Sequence, residues 1–400
     1  MRVALIQPDT PQSEDEILLG LHPPIGLAWL AGNISQHHVT VLDLRCEEMH
    51  IDMHMDTWDV VGLSCQTVSL EACNTVAHAI REELPSCIIV AGGHHPLPHE
   101  LLCFSDYVVQ GEGEIIFSNL LSCLDRVKDP SKIPGLYSHT VSTPPGGPAD
   151  ITRLRPPAYG VLALERYHPH EGCMVTSRGC PFTCVFCTHP FGYHWRGRLP
   201  HQVITEAQDL LSRGAGALHI LDDLFTWDHS RVSAICEGFR SLQIQWDLPN
   251  GTRADTVNQE VLNTMARSGC TRLLYGIESG VPKILQSMKK DLTLETIEKA
   301  IKMTKKEGIE VEGLFMVGNP GDTWETIKKT VEFAKNLDIK GHFSLATPYP
   351  GTAFWRWVEQ HGRFLQVPYA QFEQVPVFET DDFSAQDRLQ ALRWAQQECV

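Results

Sequence analysis

No stretch of the 400-residue sequence approaches the roughly 20 consecutive apolar residues that cross a membrane as a helix. An excess of basic charge is missing too. The 33 Lys and Arg against 49 Asp and Glu leave a net −16, which disfavours wrapping a polyanion, because phosphate contacts supply nonspecific nucleic-acid affinity. Small-molecule or peptide substrates suit such a chain better. No room is left for a signal peptide, since Met1-Arg2 runs straight into the strand-like Val3-Ala4-Leu5-Ile6, and a cytoplasmic protein is expected. No short internal repeat or low-complexity block is evident. A disulfide framework is also lacking: the 13 cysteines are odd in number and scattered, so most are expected to be buried thiols acting as small apolar side chains.

The remaining composition, 42% hydrophobic and 20% charged, is that of a globular chain long enough for two α/β domains. Short apolar runs at Val3–Ile6, Val39–Leu44, Val60–Leu63, Ile88–Val90 and Tyr107–Val109 read as strands. They alternate with helical spacing over Gly26–Ile34, Leu70–Glu83 and Glu114–Leu124. This pattern predicts a Rossmann-like, doubly wound parallel sheet over residues 1–128, with functional loops at the carboxyl ends of its strands. A Pro- and Gly-rich stretch including Pro144-Pro145-Gly146-Gly147-Pro148 and Pro156-Pro157 is read as a linker, residues 129–170.

Alternation then resumes over residues 171–357. Strands are expected at Met174–Thr176, Leu218–Leu221, Trp246–Leu248, Leu273–Ile277, Gly313–Val317 and Phe343–Ala346, with helices between them such as Leu294–Glu307 and Trp324–Asn336. Six β/α units are too few to close an eight-stranded barrel, so an open partial (β/α)6 barrel is expected. Residues 358–400 read as an irregular cap with one last helix, Ala385–Gln397.

Directly after the first barrel strand comes Ser177-Arg178-Gly179-Cys180-Pro181-Phe182-Thr183-Cys184-Val185-Phe186-Cys187. A loop can fold three thiols around one centre, whereas a strand or helix would point them apart. Three thiolates on a four-iron cube leave one iron open for a ligand. The competing reading is a structural zinc site, with His189 or His194 as the fourth ligand.

The Cys180/Cys184/Cys187 spacing, with aromatic Phe186 before the last cysteine, resembles the signature of the radical S-adenosylmethionine (SAM) superfamily. The resemblance implies a [4Fe–4S] cluster whose open iron is chelated by the amino and carboxylate groups of SAM, and an external one-electron reductant of the flavodoxin or ferredoxin type. It places Phe186 at the adenine pocket. Further strand ends fit the same ligand face: Leu221-Asp222-Asp223, Asn250-Gly251-Thr252-Arg253, Gly276-Ile277-Glu278-Ser279-Gly280, Gly318-Asn319-Pro320-Gly321-Asp322 and Thr347-Pro348-Tyr349-Pro350. Asp223, Arg253 and Glu278 are the candidate SAM contacts.

In the first domain, Ser64-Cys65-Gln66-Thr67, Gly92-Gly93-His94-His95 and Gly111-Glu112-Gly113-Glu114 are expected at one sheet edge. Small residues there permit close approach by a large flat ligand or a nucleotide tail. Together with Pro23-Pro24-Ile25-Gly26-Leu27-Ala28 they resemble the cobalamin-binding domain that precedes the radical SAM domain in one large subfamily. Candidate contacts are Ser64, Gln66, Thr67, Gly92, Gly93, His94, Gly111, Glu112 and Gly113. No D-x-H-x-x-G run is present, and Asp43-Leu44-Arg45-Cys46 holds the corresponding strand end without a His, which implies cobalamin bound with no protein histidine on cobalt. His94 and His95 read better as hydrogen-bonding wall residues.

The resemblance implies a cobalamin-dependent methyltransferase acting on an unactivated carbon. Cyclisation, ring contraction or oxidation with the same cofactors is the neighbouring alternative, and a non-catalytic cobalamin-binding regulator the distant one.

Overall fold

The computed structural model describes residues 1–9, 21–46, 58–167 and 171–399. They fall into two compact units, one of residues 1–169 with 368–371, the other of 170–367 with 372–400.

The first unit is built on strands β1 (Arg2–Gln7), β2 (His38–Asp43), β3 (Val60–Ser64), β4 (Ile88–Gly92), β5 (Tyr107–Val109) and β6 (Leu136–Tyr137), in the order β2-β1-β3-β4-β5-β6. All pairings are parallel except β5 with β6. Alternate side chains serve opposite faces of a strand, so each face has its own core. One packs Ala4, Ile6, Val61 and Leu63 against Cys73, Val76 and Ile80 of helix α2 (Leu70–Glu83). The other packs Val3, Leu5 and Val60 against Leu27 and Ala31 of α1 (Ile25–Asn33) and against Phe117, Leu120 and Leu121, which follow the short α3 (Pro98–Leu101) and lie in α4 (Gly113–Asp125). The doubly wound sheet expected from the sequence is present.

The expected linker is not one. Residues 129–167 belong to this unit: β6 adds an edge strand, Ala158 N–H donates to Ala28 O at 2.9 Å, and the Tyr167 hydroxyl donates to Asp43 Oδ2 at 2.8 Å. Proline bars a segment from a central strand but not from an edge or a surface wrap, and this segment buries Ile133, Leu136, Ile151 and Tyr159.

In the second unit β7 (Glu171–Met174), β10 (Ala217–Ile220), β11 (Gln245–Thr252), β12 (Cys270–Glu278), β13 (Glu310–Val317) and β14 (Lys340–Leu345) form one parallel sheet in the order β14-β13-β12-β11-β10-β7. Its connecting helices are α5 (Pro200–Ser212), α6 (His229–Leu242), α7 (Gln259–Arg267), α8 (Pro282–Ser287), α9 (Leu294–Lys306) and α10 (Trp324–Asn336), followed by α11 (Ala353–His361). This is the six-stranded open barrel. Its first strand ends earlier than expected because Thr176 is diverted: its N–H and hydroxyl donate to the Asp222 carboxylate at 2.5 and 2.6 Å.

A five-residue polar belt crosses the strands, each member third in its strand. His219 meets Asp247 at 2.5 Å, Asp247 meets Arg272 at 2.7 Å, Arg272 faces Glu312 at 3.7 Å, and Glu312 meets His342 at 2.6 Å. The C-terminal residues carry the expected last helix, one residue longer than its expected span of Ala385–Gln397. After the small hairpin of β15 (Arg363–Phe364) and β16 (Phe378–Glu379), α12 (Ala385–Glu398) packs on the barrel, with Gln396 Nε2 donating to Phe343 O at 3.0 Å. Among the described residues no helix is long and apolar enough to cross a membrane.

Candidate functional site

The three-thiol segment is a loop closed at its neck by a two-residue hairpin, in which β8 (Ser177–Arg178) pairs with β9 (Arg196–Gly197). Gly179 makes the first turn with φ +85°, and a Cβ there would overlap the His194 carbonyl oxygen, so only glycine fits. Asp223 fixes the same point, its Oδ2 accepting from Gly179 N–H at 2.7 Å. Further along, Val185 N–H donates to Met288 O at 3.0 Å and Val185 O accepts from Phe354 N–H at 2.9 Å. The loop is therefore held at its neck and its middle.

Cys180, Cys184 and Cys187 are partly exposed and act electrostatically on one another, whereas Cys65, Cys73, Cys87, Cys173, Cys236, Cys270 and Cys399 are buried. Burial pushes all three loop thiols up, Cys187 to about 11. Positive charge has to draw the thiolates out, as bound iron does.

Among the described residues no three His, Cys, Asp or Glu side chains converge as ligands of a single ion would. A four-iron cube spreads its thiolates farther apart than one ion does, so the donor set suits a cluster. His189 reaches Cys187 Sγ through its backbone N–H, at 3.4 Å, and its ring lies tilted against Tyr193 at 4.1 Å.

The candidate SAM residues gather around this loop. Arg253 Nη1 lies 3.9 Å from Cys184 Sγ, its guanidinium carbon 3.4 Å over the Phe182 ring, and Asp255 holds it through Nε and Nη2 at 3.0 and 2.9 Å. Glu278 closes β12 with φ +66°, in a left-handed conformation that costs a non-glycine residue about 1–3 kcal/mol. Its Oε1 accepts from Lys290 Nζ at 2.8 Å, and that ammonium sits 5.9 Å from the Phe186 ring centroid. Phe186, Glu278, Arg253 and Asp223 are thus all brought to the cysteine loop. Burial pushes the Asp223 carboxyl up.

Sequence reasoning missed Lys290 and, beyond it, Arg388 of α12. Arg388 Nη1 donates to Gly318 O at 2.6 Å, and the side chain is clasped by Phe378 and Phe383. A signal existed, because Arg388, Ala391, Leu392 and Ala395 form the buried stripe of α12, and a charge on an apolar helical stripe asks for a partner.

In the first unit, Ser64, Gly92 and Val109 are cross-strand neighbours in register, so the three expected loops leave the sheet side by side. Cys65 N–H donates to Gly92 O at 2.6 Å and His95 N–H to Cys65 O at 3.1 Å. Gly93 has φ +126°, and a Cβ there would press on the Cys65 backbone. Gln66, Gly93, His94 and Gly111 are exposed along this edge, with Ser64, Gly92, Glu112 and Gly113 partly so, while Thr67 is buried. Both ring nitrogens of His95 are engaged: its Nδ1 lies 3.2 Å from the Thr67 hydroxyl and its Nε2 2.9 Å from Glu100. At the end of β2, Asp43 pairs with Arg45 at 2.6 Å, so no histidine stands there.

A three-thiol loop at the carboxyl edge of a six-stranded partial barrel, in a chain that begins with a doubly wound sheet, defines a two-module redox enzyme. The chain belongs to the radical SAM superfamily, in the branch that also carries a B12-binding domain: the Radical SAM superfamily model matches residues 174–334 and the B12 binding domain model residues 18–121. That membership brings a [4Fe–4S] cluster, SAM and cobalamin as cofactors.

Among curated relatives, an uncharacterized methyltransferase from Pyrococcus horikoshii is 31% identical over 423 residues, spanning 99% of this chain and 91% of that protein. An anaerobic magnesium-protoporphyrin IX monomethyl ester cyclase from Rubrivivax gelatinosus is 26% identical, spanning 88% and 68%. Among solved structures, the radical SAM methyltransferase TsrM from Kitasatospora setae, with cobalamin and a [4Fe–4S] cluster bound, superposes with a TM-score of 0.78 at 20% identity, covering 92% of this chain and 81% of that one. It shares the fold.

Proposed function

We propose that the chain is a cobalamin-dependent radical SAM methyltransferase acting on an unactivated carbon of a small-molecule or peptide substrate. The carrying observation is the hairpin-necked loop that presents Cys180, Cys184 and Cys187 beside Arg253 and the Lys290–Glu278 pair. When bound, the cluster supplies an electron to the SAM sulfonium and cobalamin carries a methyl group. The three thiols hold the cluster, and Asp223 and Gly179 shape the turn that delivers Cys180. Arg253 sets positive charge against Cys184, Glu278 accepts hydrogen bonds from SAM, and Phe186 lines its adenine. The edge formed by Ser64, Gln66, Thr67, Gly92, Gly93, His94, Gly111, Glu112 and Gly113 receives cobalamin, with no protein histidine on cobalt.

The name of the 31%-identical relative supports methyl transfer over the alternatives. The cyclase relative favours a second reading, in which the same cofactors close a ring without moving a methyl group. A flavodoxin- or ferredoxin-type protein as electron donor belongs to the proposal. So does a cytoplasmic location, supported by 13 cysteines that are all free thiols.

The test uses holoenzyme, a chemical reductant and SAM labelled in its methyl group. Methyl transfer requires that the label move to cobalamin with release of unlabelled S-adenosylhomocysteine even before a carbon substrate is supplied, and that S-adenosylhomocysteine and deoxyadenosine form in equal amounts once one is. Deoxyadenosine without S-adenosylhomocysteine would move the chain to the cyclase reading.

A further inference from the structure

The loop Gly318-Asn319-Pro320-Gly321-Asp322 leaves the end of β13, and its shape is imposed from two sides. From within, the Asp322 carboxylate accepts from Gly318 N–H at 3.1 Å, Asn319 N–H at 2.8 Å and the Thr326 hydroxyl at 2.7 Å. From outside comes Arg388, 70 residues downstream and only 2% exposed, whose Nη1 takes Gly318 O at 2.6 Å. Its Nε donates to Phe383 O at 3.2 Å and its Nη2 to Thr380 Oγ1 at 3.5 Å. Gly318 has φ +98°, and a Cβ there would overlap the Arg388 guanidinium, so loop and guanidinium are fitted to each other.

Burying a guanidinium is expensive, and an apolar residue of similar size would pack α12 as well or better. Asn319 shows what the arrangement is for. Its residue is 1% exposed, its Nδ2 donates to Met316 O, and its Oδ1 is buried with no protein donor. A buried acceptor left bare costs about 1–3 kcal/mol. A ligand donor, such as a hydroxyl or amino group, relieves that cost.

We propose that Arg388 is a positioning residue for SAM, acting through Gly318 to hold Asn319 Oδ1 where it accepts a hydrogen bond from the cofactor. This rests on the radical SAM reading above. Arg388 touches no reacting atom, and its guanidinium geometry matters because three separate acceptors fix its plane, which the single ammonium of lysine cannot do.

The experiment compares wild type, Arg388→Lys, Arg388→Met and Asn319→Ala as reconstituted holoenzymes. The reduced cluster is followed by electron paramagnetic resonance as SAM is added, alongside iron content and thermal unfolding. Arg388→Met should keep its iron and need at least about tenfold more SAM for the half-maximal spectral change, a loss of about 1.4 kcal/mol, with Arg388→Lys in between. Adding Asn319→Ala to Arg388→Met should cost little more, because both act on one contact.

Wild-type SAM affinity in the Arg388 variants overturns the inference. So does a loss of SAM binding that only tracks lost iron, which would make Arg388 a fold staple. Should Arg388→Met not fold, Arg388→Lys and its double variant with Asn319→Ala carry the comparison alone, and additive losses there overturn it. Absence of any SAM-dependent change in wild type would instead overturn the radical SAM reading itself.

Discussion

The Lys290 ammonium and the Glu278 carboxylate meet at 2.8 Å with 6% and 9% of their side chains exposed. Removing one partner of such a buried pair strands the other charge, at about 3–5 kcal/mol. Lys290→Met should therefore lower the unfolding temperature by roughly 6–20 °C. Adding Glu278→Gln should recover much of that loss while SAM binding stays impaired. Additive losses in the double variant would show that the two residues are not coupled.

Gly179→Ala should weaken the cysteine loop. Alanine there pays for the left-handed backbone, about 1–2 kcal/mol, and also collides with the His194 carbonyl. Gly214 has φ +99° but open space around it, so Gly214→Ala pays the backbone cost alone. Iron retention after reconstitution should fall for Gly179→Ala and stay at the wild-type level for Gly214→Ala.

Serine in place of Cys180, Cys184 or Cys187 should abolish the cluster and reductive SAM cleavage, each alone as completely as all three together. Cys236, buried in α6 with its thiol pushed up to about 11 by burial, is the control, and Cys236→Ala should keep four irons per chain. Wild type reconstituted to four irons that makes no deoxyadenosine with dithionite and SAM would reject the cluster assignment.

The pH dependence of stability should carry two opposite signs. Burial pushes Asp322 up to about 6 from its ordinary 3.8. The folded chain thus holds that proton more tightly than the unfolded one, and stability falls as pH rises across this window. Glu312 is held below its ordinary 4.5, chiefly by the hydrogen bond from His342, so its contribution is present above that value and lost as pH falls beneath it. The unfolding temperature of Asp322→Asn minus that of wild type should climb between pH 3.8 and 6 and level off above. For Glu312→Gln the difference should climb as pH drops below 4.5. Flat differences would mean these groups titrate alike in both states.

Cobalamin bound to the protein offers a separate check. Its cobalt(II) state should show no nitrogen superhyperfine splitting from a histidine in electron paramagnetic resonance, since His95 is engaged by Thr67 and Glu100 and β2 ends on an Asp43–Arg45 pair. A histidine nitrogen on cobalt would reject the assignment of this edge.

Periodicity made the sheets legible. Helix α10 matches its expected span of Trp324–Asn336 at both ends, since Thr323 caps it by accepting from Thr326 N–H and the apolar spacing runs unbroken. The cysteine loop was readable because its donors are neighbours in sequence. What stayed hidden depends on residues distant in sequence. Thr176 looked like strand until Asp222, 46 residues away, diverted it. Prolines made residues 129–167 look like a tether, although buried Ile133, Leu136 and Tyr159 tie them to the first sheet. The polar belt left one faint trace, a titratable residue third in each of five strands, which gains meaning only when parallel register lines the positions up.

The 70 residues between Gly318 and Arg388 are also a delay. A ribosome adding about 5–20 residues per second leaves the β13 loop without its outer clasp for roughly 4–14 seconds after Gly318 is made. The cysteine loop, more than a hundred residues earlier in the chain, has its thiols synthesised before that interval begins. The order of synthesis is thus thiols first, the β13 loop next and its clasp in α12 last.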